Sequence, residues 1–323
     1  MLRRFSRSFF VALSKARWAK HMVTRWGLAR RMAHRFIAGE TLEEAIEAIQ
    51  QLNDKGIQAT LDYLGESTTS AAEARAAADE VIRALDGIDR SGVRANVSLK
   101  LSQLGLVLDE ELCRENLRGI LTRARELGNF IRIDMEDSSL TGVTVSVWEW
   151  ACQQGFNNVG IVIQSYLYRS EEDIRMILQR GGRVRLCKGA YDEPATVAFP
   201  SKSEVDANYD ALTTMLIEGA IASGTPEVSQ DGRIPPIPAI ASHDEARIEY
   251  AKAEAKRLAL PRGAIEFQML HGIRRDLQEA LAKQGYPVRV YVPYGTHWYP
   301  YFMRRLAERP ENIRFFVANF FRK

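Results

Sequence analysis

The chain has 323 residues, 46% of them hydrophobic and 26% charged, with a net charge of only +3. That is ordinary globular composition, long enough for one large domain or two medium ones. Three cysteines, Cys113, Cys152 and Cys187, form neither a metal-ligand spacing nor an even disulfide framework, which points to a reducing compartment. No apolar run approaches the ~20 residues that a membrane span needs.

The charge is unevenly placed. Arg3, Arg4, Arg7, Lys15, Arg17, Lys20, Arg25, Arg30, Arg31 and Arg35 all precede Glu40, the first acidic residue, so the remainder is net acidic. We read residues 1–55 as a basic helical arm. Within it, two short basic helices pack on the domain through Phe9, Phe10, Leu13, Trp18, Trp26 and Leu28. Peripheral contact with an acidic lipid or protein surface is a side role of such an arm. The composition, basic without acids, also suits an organelle transit peptide, although residues 9–13 are too short for a secretory signal core. No nucleic-acid motif accompanies the basic run, so a nucleic-acid partner is not expected.

Residues 41–50 read as a helix, with Thr41 as N-cap and Glu44 as its capping-box partner. From residue 56 onward, short runs rich in valine and isoleucine alternate with amphipathic helix text. The predicted strands are 56–64, 96–101, 130–135, 159–165, 183–187, 239–242, 265–270 and 288–291, the last ended by Pro293 and Gly295. Eight such units predict a closed (β/α)8 barrel over residues 56–323. An open doubly wound sheet is the runner-up, weakened by the lack of a G-x-G-x-x-G after the first strand. The proline-rich stretch 223–238 is predicted to be a surface loop before the sixth strand.

A barrel carries its chemistry at the C-terminal ends of its strands. Here those ends are polar with unusual regularity. The second strand ends near Lys100, the third carries Asp134 and Glu136 around Met135, and the fourth ends at Gln164. The fifth holds Arg185 and runs into Lys188, Gly189, Ala190 and Tyr191. The sixth ends at Ser242, His243 and Asp244, the seventh at Gln268, Leu270 and His271, and the eighth at Tyr291. A following helix carries Arg304 and Arg305, with Glu308 on a face shared with both. Two arginines aimed into one cavity form a fork-shaped site for a carboxylate. Each residue alone has a structural explanation; His243, for example, can simply help cap a helix beside Asp244. Converging on one rim, they predict a site for a large polar cofactor and a small zwitterionic substrate. No His/Cys cluster supports a metal, and no nucleophile elbow supports a serine hydrolase.

The string YVPYGTHWYPYFMRRLAE resembles the C-terminal signature of the proline dehydrogenases, and RLCKGAY resembles that family's RLVKGAY. ATLDYLGE, NVSLKLSQLG, IRIDMED, IVIQSYL, IASHDE and FQMLHG resemble further family segments in matching order, from about residue 35 to the C-terminus. The resemblance implies FAD-dependent oxidation of L-proline to 1-pyrroline-5-carboxylate. Hydride passes from the ring carbon beside nitrogen to non-covalently bound FAD, and the electrons go on to a quinone. It places Lys100, Leu270, Tyr291, Arg304, Arg305 and Glu308 in the substrate pocket, with Asp134 and Arg185 catalytic. It gives Met135, Gln164, Arg185, Lys188, Gly189, Ala190, Ser242 and His243 to the flavin. Cys187, where the family commonly has valine, and the 223–238 insert are the departures. The short monofunctional form is implied, cytoplasmic, with the basic arm available for peripheral contact with the inner face of the membrane.

Two other classes fit parts of the sequence. One is a lyase or aldolase with Lys100 or Lys188 as a Schiff-base nucleophile. The other is a non-enzymatic adaptor with a basic tail.

Overall fold

Helix α1 (Leu42–Asn53) starts on the predicted capping box: Glu44 N–H donates to Thr41 Oγ1, and Thr41 N–H donates to Glu44 Oε2 at 3.1 Å. Its apolar stripe, Ala45 and Ile49, is fully buried in the main core. The structure, a computed structural model, describes residues 35–65 and 68–308. Within the last helix the side chains of Arg304, Leu306, Ala307 and Glu308 lie outside that description. Of the basic arm expected over residues 1–55, residues 1–34 also lie outside the described residues, and the remainder, including α1, packs on the barrel.

The eight strands are β1 (Gln58–Tyr63), β2 (Ala95–Leu99), β3 (Ile131–Ile133), β4 (Val159–Gln164), β5 (Val184–Cys187), β6 (Pro238–Ala241), β7 (Glu266–Leu270) and β8 (Val288–Tyr294). They close into one parallel barrel in sequence order, β8 pairing back onto β1. The connecting helices are α2 (Ala71–Ser91), α3 (Glu110–Glu126), α4 (Ser138–Gln153), α5 (Ser170–Gln179), α6 (Lys202–Ala222), α7 (Glu245–Arg257) and α8 (Arg275–Lys283), and α9 (Trp298–Glu308) follows β8. This is the predicted (β/α)8 fold, and no predicted strand is missing.

Alternation along each strand sorts the side chains. Leu61, Val97, Ile133, Ile161, Leu186 and Val290 join the core shared with the helices. Their neighbours Thr60, Asp62, Ser98, Arg132, Asp134, Arg185, Gln268 and Arg289 are polar yet buried. Arg185 on β5 bonds Ser98 of β2, Gln268 of β7 and Asp134 just past β3, contacts that only the barrel interior can provide.

Two sequence expectations are corrected. Strand β8 does not end before Pro293; it runs through it to Tyr294, with Asp62 opposite Pro293 and Tyr63 opposite Tyr294. Proline lacks only the donor, and its carbonyl is used, accepting from Ala38 N–H at 2.9 Å. The 223–238 stretch is only partly a surface loop. Gly232, Pro235, Pro236 and Ile237 are buried. The Gly232 carbonyl accepts from Arg289 at 2.8 Å, and the Arg233 carbonyl accepts from Asn96 at 2.9 Å. This stretch therefore closes the floor of the barrel. Gly232 has φ +69°, and a Cβ there would lie 2.8 Å from Gln58 Cγ, so only glycine fits.

At the opposite end, residues 35–40 form a strap across the mouth. Gly39 pairs with Tyr294, and the Gly39 carbonyl accepts from Gly295 N–H at 3.0 Å. Phe36 and Ile37 pack with Trp298, Tyr299 and Phe302 in a second apolar cluster that also backs Leu270 and Tyr291. Trp298 Nε1 donates to Glu40 at 3.2 Å.

Candidate active site

Lys100, just past β2, stands at the centre of the barrel mouth. Its ammonium donates to Asp62 at 3.2 Å and 3.3 Å, to Asp134 Oδ2 at 3.4 Å and to Tyr291 Oη at 3.3 Å. Tyr291 donates in turn to Asp134 Oδ2 at 2.8 Å. Burial raises the Asp62 carboxyl pKa; Lys100 opposes that rise and the nearby Asp134 adds to it. Burial, then the Asp134 and Asp62 carboxylates, push the Tyr291 hydroxyl well above its ordinary value, so it remains a donor.

Arg185 lies behind this group. Its Nη1 donates to Asp134 Oδ1 at 2.8 Å and its Nη2 to Ser98 at 3.1 Å, while Nε donates to Gln268 Oε1. The guanidinium also lies 5.4 Å from the Tyr291 ring centroid. Asp134 thus joins both cations, one oxygen to Arg185 and the other to Lys100 and Tyr291.

The neighbouring rim has features that suit a bound heterocyclic nucleotide. Gln164, on β4 opposite Cys187, is buried, and its Oε1 has no hydrogen-bond partner. Such an atom is costly without a ligand or water. Gly189 has φ +115°, and a Cβ there would meet the Tyr166 ring at 2.5 Å, so the loop after β5 packs its backbone directly on that ring. Met135 is buried beside Asp134. Ser242 Oγ accepts from Asp244 N–H at 3.0 Å, and His243 Nε2 accepts from Leu270 N–H at 3.0 Å. That contact places the proton of a neutral His243 on Nδ1 and ties the end of β6 to Leu270.

Lys188 is held by Asp206 at 2.5 Å and Asp244 at 2.6 Å. Burial works to raise both carboxyl pKa values, but the bonds from Lys188 win and hold both below the ordinary value. Ala190 follows Gly189 in the same loop.

Leu270 is half-buried against the cluster under the strap. Arg305 lies with its guanidinium 5.1 Å from the Tyr301 ring centroid. It is also close enough for its charge to act on Cys187. Burial pushes that thiol up to about 11, against the opposing charge of Arg185. Arg304 and Glu308 fall on α9, but their side chains are outside the described residues.

The model of the proline dehydrogenase family matches residues 45–317. The chain belongs to the proline dehydrogenase family.

Among relatives, it is 41% identical over 321 residues to "Proline dehydrogenase 1" of Bacillus subtilis, covering 98% of this chain and 99% of that one. It is 42% identical over 290 residues to "Proline dehydrogenase" of Deinococcus radiodurans, covering 88% and 89% respectively. Its fold is similar to that of proline utilization A from Bdellovibrio bacteriovorus inactivated by N-propargylglycine, with a TM-score of 0.77 at 27% identity. That match covers 87% of this chain but 33% of the solved one, so the chain spans about a third of that protein's length.

Against this proline dehydrogenase background, the structure brings together Lys100, Asp134, Arg185 and Tyr291, and sets Gln164, Met135, Gly189, Ser242 and His243 around the same mouth. Three partners were missed as site residues in the sequence: Asp62, Ser98 and Asp206. For the first two the available signal was strand parity, since each lies an even number of residues from another inward polar position, while Gln268 was expected on the rim without its role as a partner of Arg185. Asp206 lies on α6, and nothing local marks it as Lys188's partner.

Proposed function

We propose that this proline dehydrogenase family member oxidises L-proline to 1-pyrroline-5-carboxylate, using non-covalently bound FAD and passing the electrons to a quinone. The observation that carries this reading is the Lys100–Asp134–Arg185–Tyr291 cluster beside the unsatisfied Gln164 oxygen, in a chain of this family. When bound, the flavin accepts the two electrons removed from the substrate; the protein supplies position and charge.

Lys100, Arg304 and Arg305 hold the substrate carboxylate, with Glu308 on the arginine-bearing face of α9. Tyr291 and Leu270 wall the ring. Asp134 fixes the directions of Lys100 and Arg185, and Arg185 faces the flavin. Met135, Gln164, Lys188, Gly189, Ala190, Ser242 and His243 hold the cofactor. Lys188 does so through its backbone, because its ammonium is engaged by Asp206 and Asp244. The engagement of both Lys100 and Lys188 by carboxylates also disfavours a Schiff-base nucleophile at either position.

We divide the chain at residue 55 into an N-terminal arm and the catalytic barrel, with the strap and α1 of the first unit packed on the second. We place the protein in the cytoplasm, with the arm available for peripheral contact with the inner face of the membrane. Among the described residues no helix is long and apolar enough to cross a membrane.

The test is an absorption spectrum of purified protein before and after anaerobic L-proline. A visible flavin band that bleaches supports cofactor and substrate together. A flavin band indifferent to proline overturns the substrate, and failure to take up FAD overturns the reading. Arg305→Met is expected to raise the KM for L-proline at least tenfold, from loss of a charge-assisted bond, while bound FAD is retained.

A further inference from the structure

Arg185 is anchored through three nitrogens by Ser98 of β2, Asp134 just past β3 and Gln268 of β7, but one of its anchors has a choice. A carboxamide can present either its oxygen or its NH2 to a neighbour. Gln268 meets Arg185 Nε at one end and Glu266 Oε1 at the other. Only a donor can face the Glu266 carboxylate, so the amide oxygen is forced toward Arg185. Glu266 is itself immobilised: Arg289 donates to it through Nε and Nη2 at 2.9 Å, and both residues are 0% exposed. The remaining Arg289 donors go to the Ala59 carbonyl and to the Gly232 carbonyl of the floor loop, each at 2.8 Å. A continuous chain of polar contacts therefore runs along the barrel axis: Gly232, Arg289, Glu266, Gln268, Arg185, Asp134, Lys100.

We propose that Gln268 and Glu266 are positioning residues for Arg185, fixing the plane of its guanidinium from the barrel floor. This rests on the reading of the site as flavin-dependent proline oxidation. Neither residue belongs to the substrate or cofactor contacts proposed above. Their effect is exerted on the charge that Arg185 presents to the flavin, and so on the reduction potential.

The test uses the flavin-loaded full chain with Gln268→Met and Gln268→Glu. Methionine fills the volume but has neither end of the amide. Glutamate beside Glu266 carries a proton, because two carboxyl groups so close cannot both ionise. Its OH then donates to Glu266 and its carbonyl accepts from Arg185, which reproduces the glutamine. The expected result for Gln268→Met is a kcat lowered about tenfold, from loss of a bond to a charged group. The KM for L-proline is little changed, and the midpoint potential of the bound flavin becomes more negative. Gln268→Glu restores both kcat and potential. If Gln268→Met does not fold, Gln268→Asn, too short to reach both partners, takes its place with the same expectation.

Wild-type kcat and potential in the methionine variant overturn the inference, as does a glutamate variant no better than methionine. A lowered Tm with unchanged potential marks a purely structural residue and also overturns it. The wild-type control separates the levels: failure of L-proline to bleach the wild type overturns the functional reading, whereas a bleaching wild type with an unaffected methionine variant overturns the positioning role alone.

Discussion

Asp62 is 1% exposed and holds the ammonium that stands at the middle of the site, so Lys100 is oriented before any substrate arrives. Asp62→Asn keeps the shape and removes the charge. With charged hydrogen bonds contributing about 1.5–3 kcal/mol, the KM for L-proline is expected to rise roughly tenfold or more, with FAD content unchanged. Steady-state kinetics alongside the flavin spectrum checks both halves. The places of Lys100, Asp134, Arg185 and Tyr291 on or just past barrel strands were legible because the family strings carry them there. Asp62 was not, because it sits within QATLDY and only its phase with Gln58 and Thr60 marks it as inward. His271 was legible as a rim residue, but its protonation was not. Burial, helped by Arg275, lowers its imidazole from 6.5 to about 4. The unfolded chain therefore takes a proton that the fold refuses. This contribution to stability is complete above pH 6.5 and is lost progressively as pH falls toward 4. At most about 3 kcal/mol is at stake. Urea melts at pH 7 and pH 5, compared with His271→Gln, are expected to show the smaller pH dependence in the variant.

At the level of elements, the strand-to-helix loops decide what the mouth can hold. The turn after β5 passes so close to Tyr166 that even a methyl group at position 189 collides with the ring, in a backbone conformation side chains rarely adopt. Gly189→Ala is expected to cost about 1–3 kcal/mol locally. Its larger effect is expected on FAD retention, measured by equilibrium dialysis, with the barrel's circular dichroism unchanged. The alternation of strands and helices was readable from hydrophobic periodicity, and the cap of α1 from four residues. Strand ends were less so. Pro293 reads as a terminator by its local chemistry, but its carbonyl is what the strap needs, and the strap is too distant in sequence for any local pattern to reveal. The segment at 223–238 misled for a similar reason: its polar, proline-rich text describes the exposed part around Asp231, while Gly232 and the two prolines go inward.

For the molecule as a whole, the barrel interior is held by charge as well as by packing. Glu266 and Arg289 are both fully buried, so Arg289→Met leaves a carboxylate without its counter-charge. A loss of about 3–5 kcal/mol is expected in chemical denaturation. The double variant Glu266→Leu with Arg289→Met is expected to lose less than the single one, since it leaves no charge stranded. The circle that these residues close has its seam between β1 and β8, the strands most separated along the chain. During synthesis β1 emerges early and keeps one row of backbone donors and acceptors unmatched until β8 leaves the ribosome, on the order of ten seconds or more at ordinary elongation rates. An exposed strand edge in that interval is a template for pairing with other chains. The nascent protein is therefore most in need of a chaperone just before its last strand appears, at the moment when nearly all of its core has already been made.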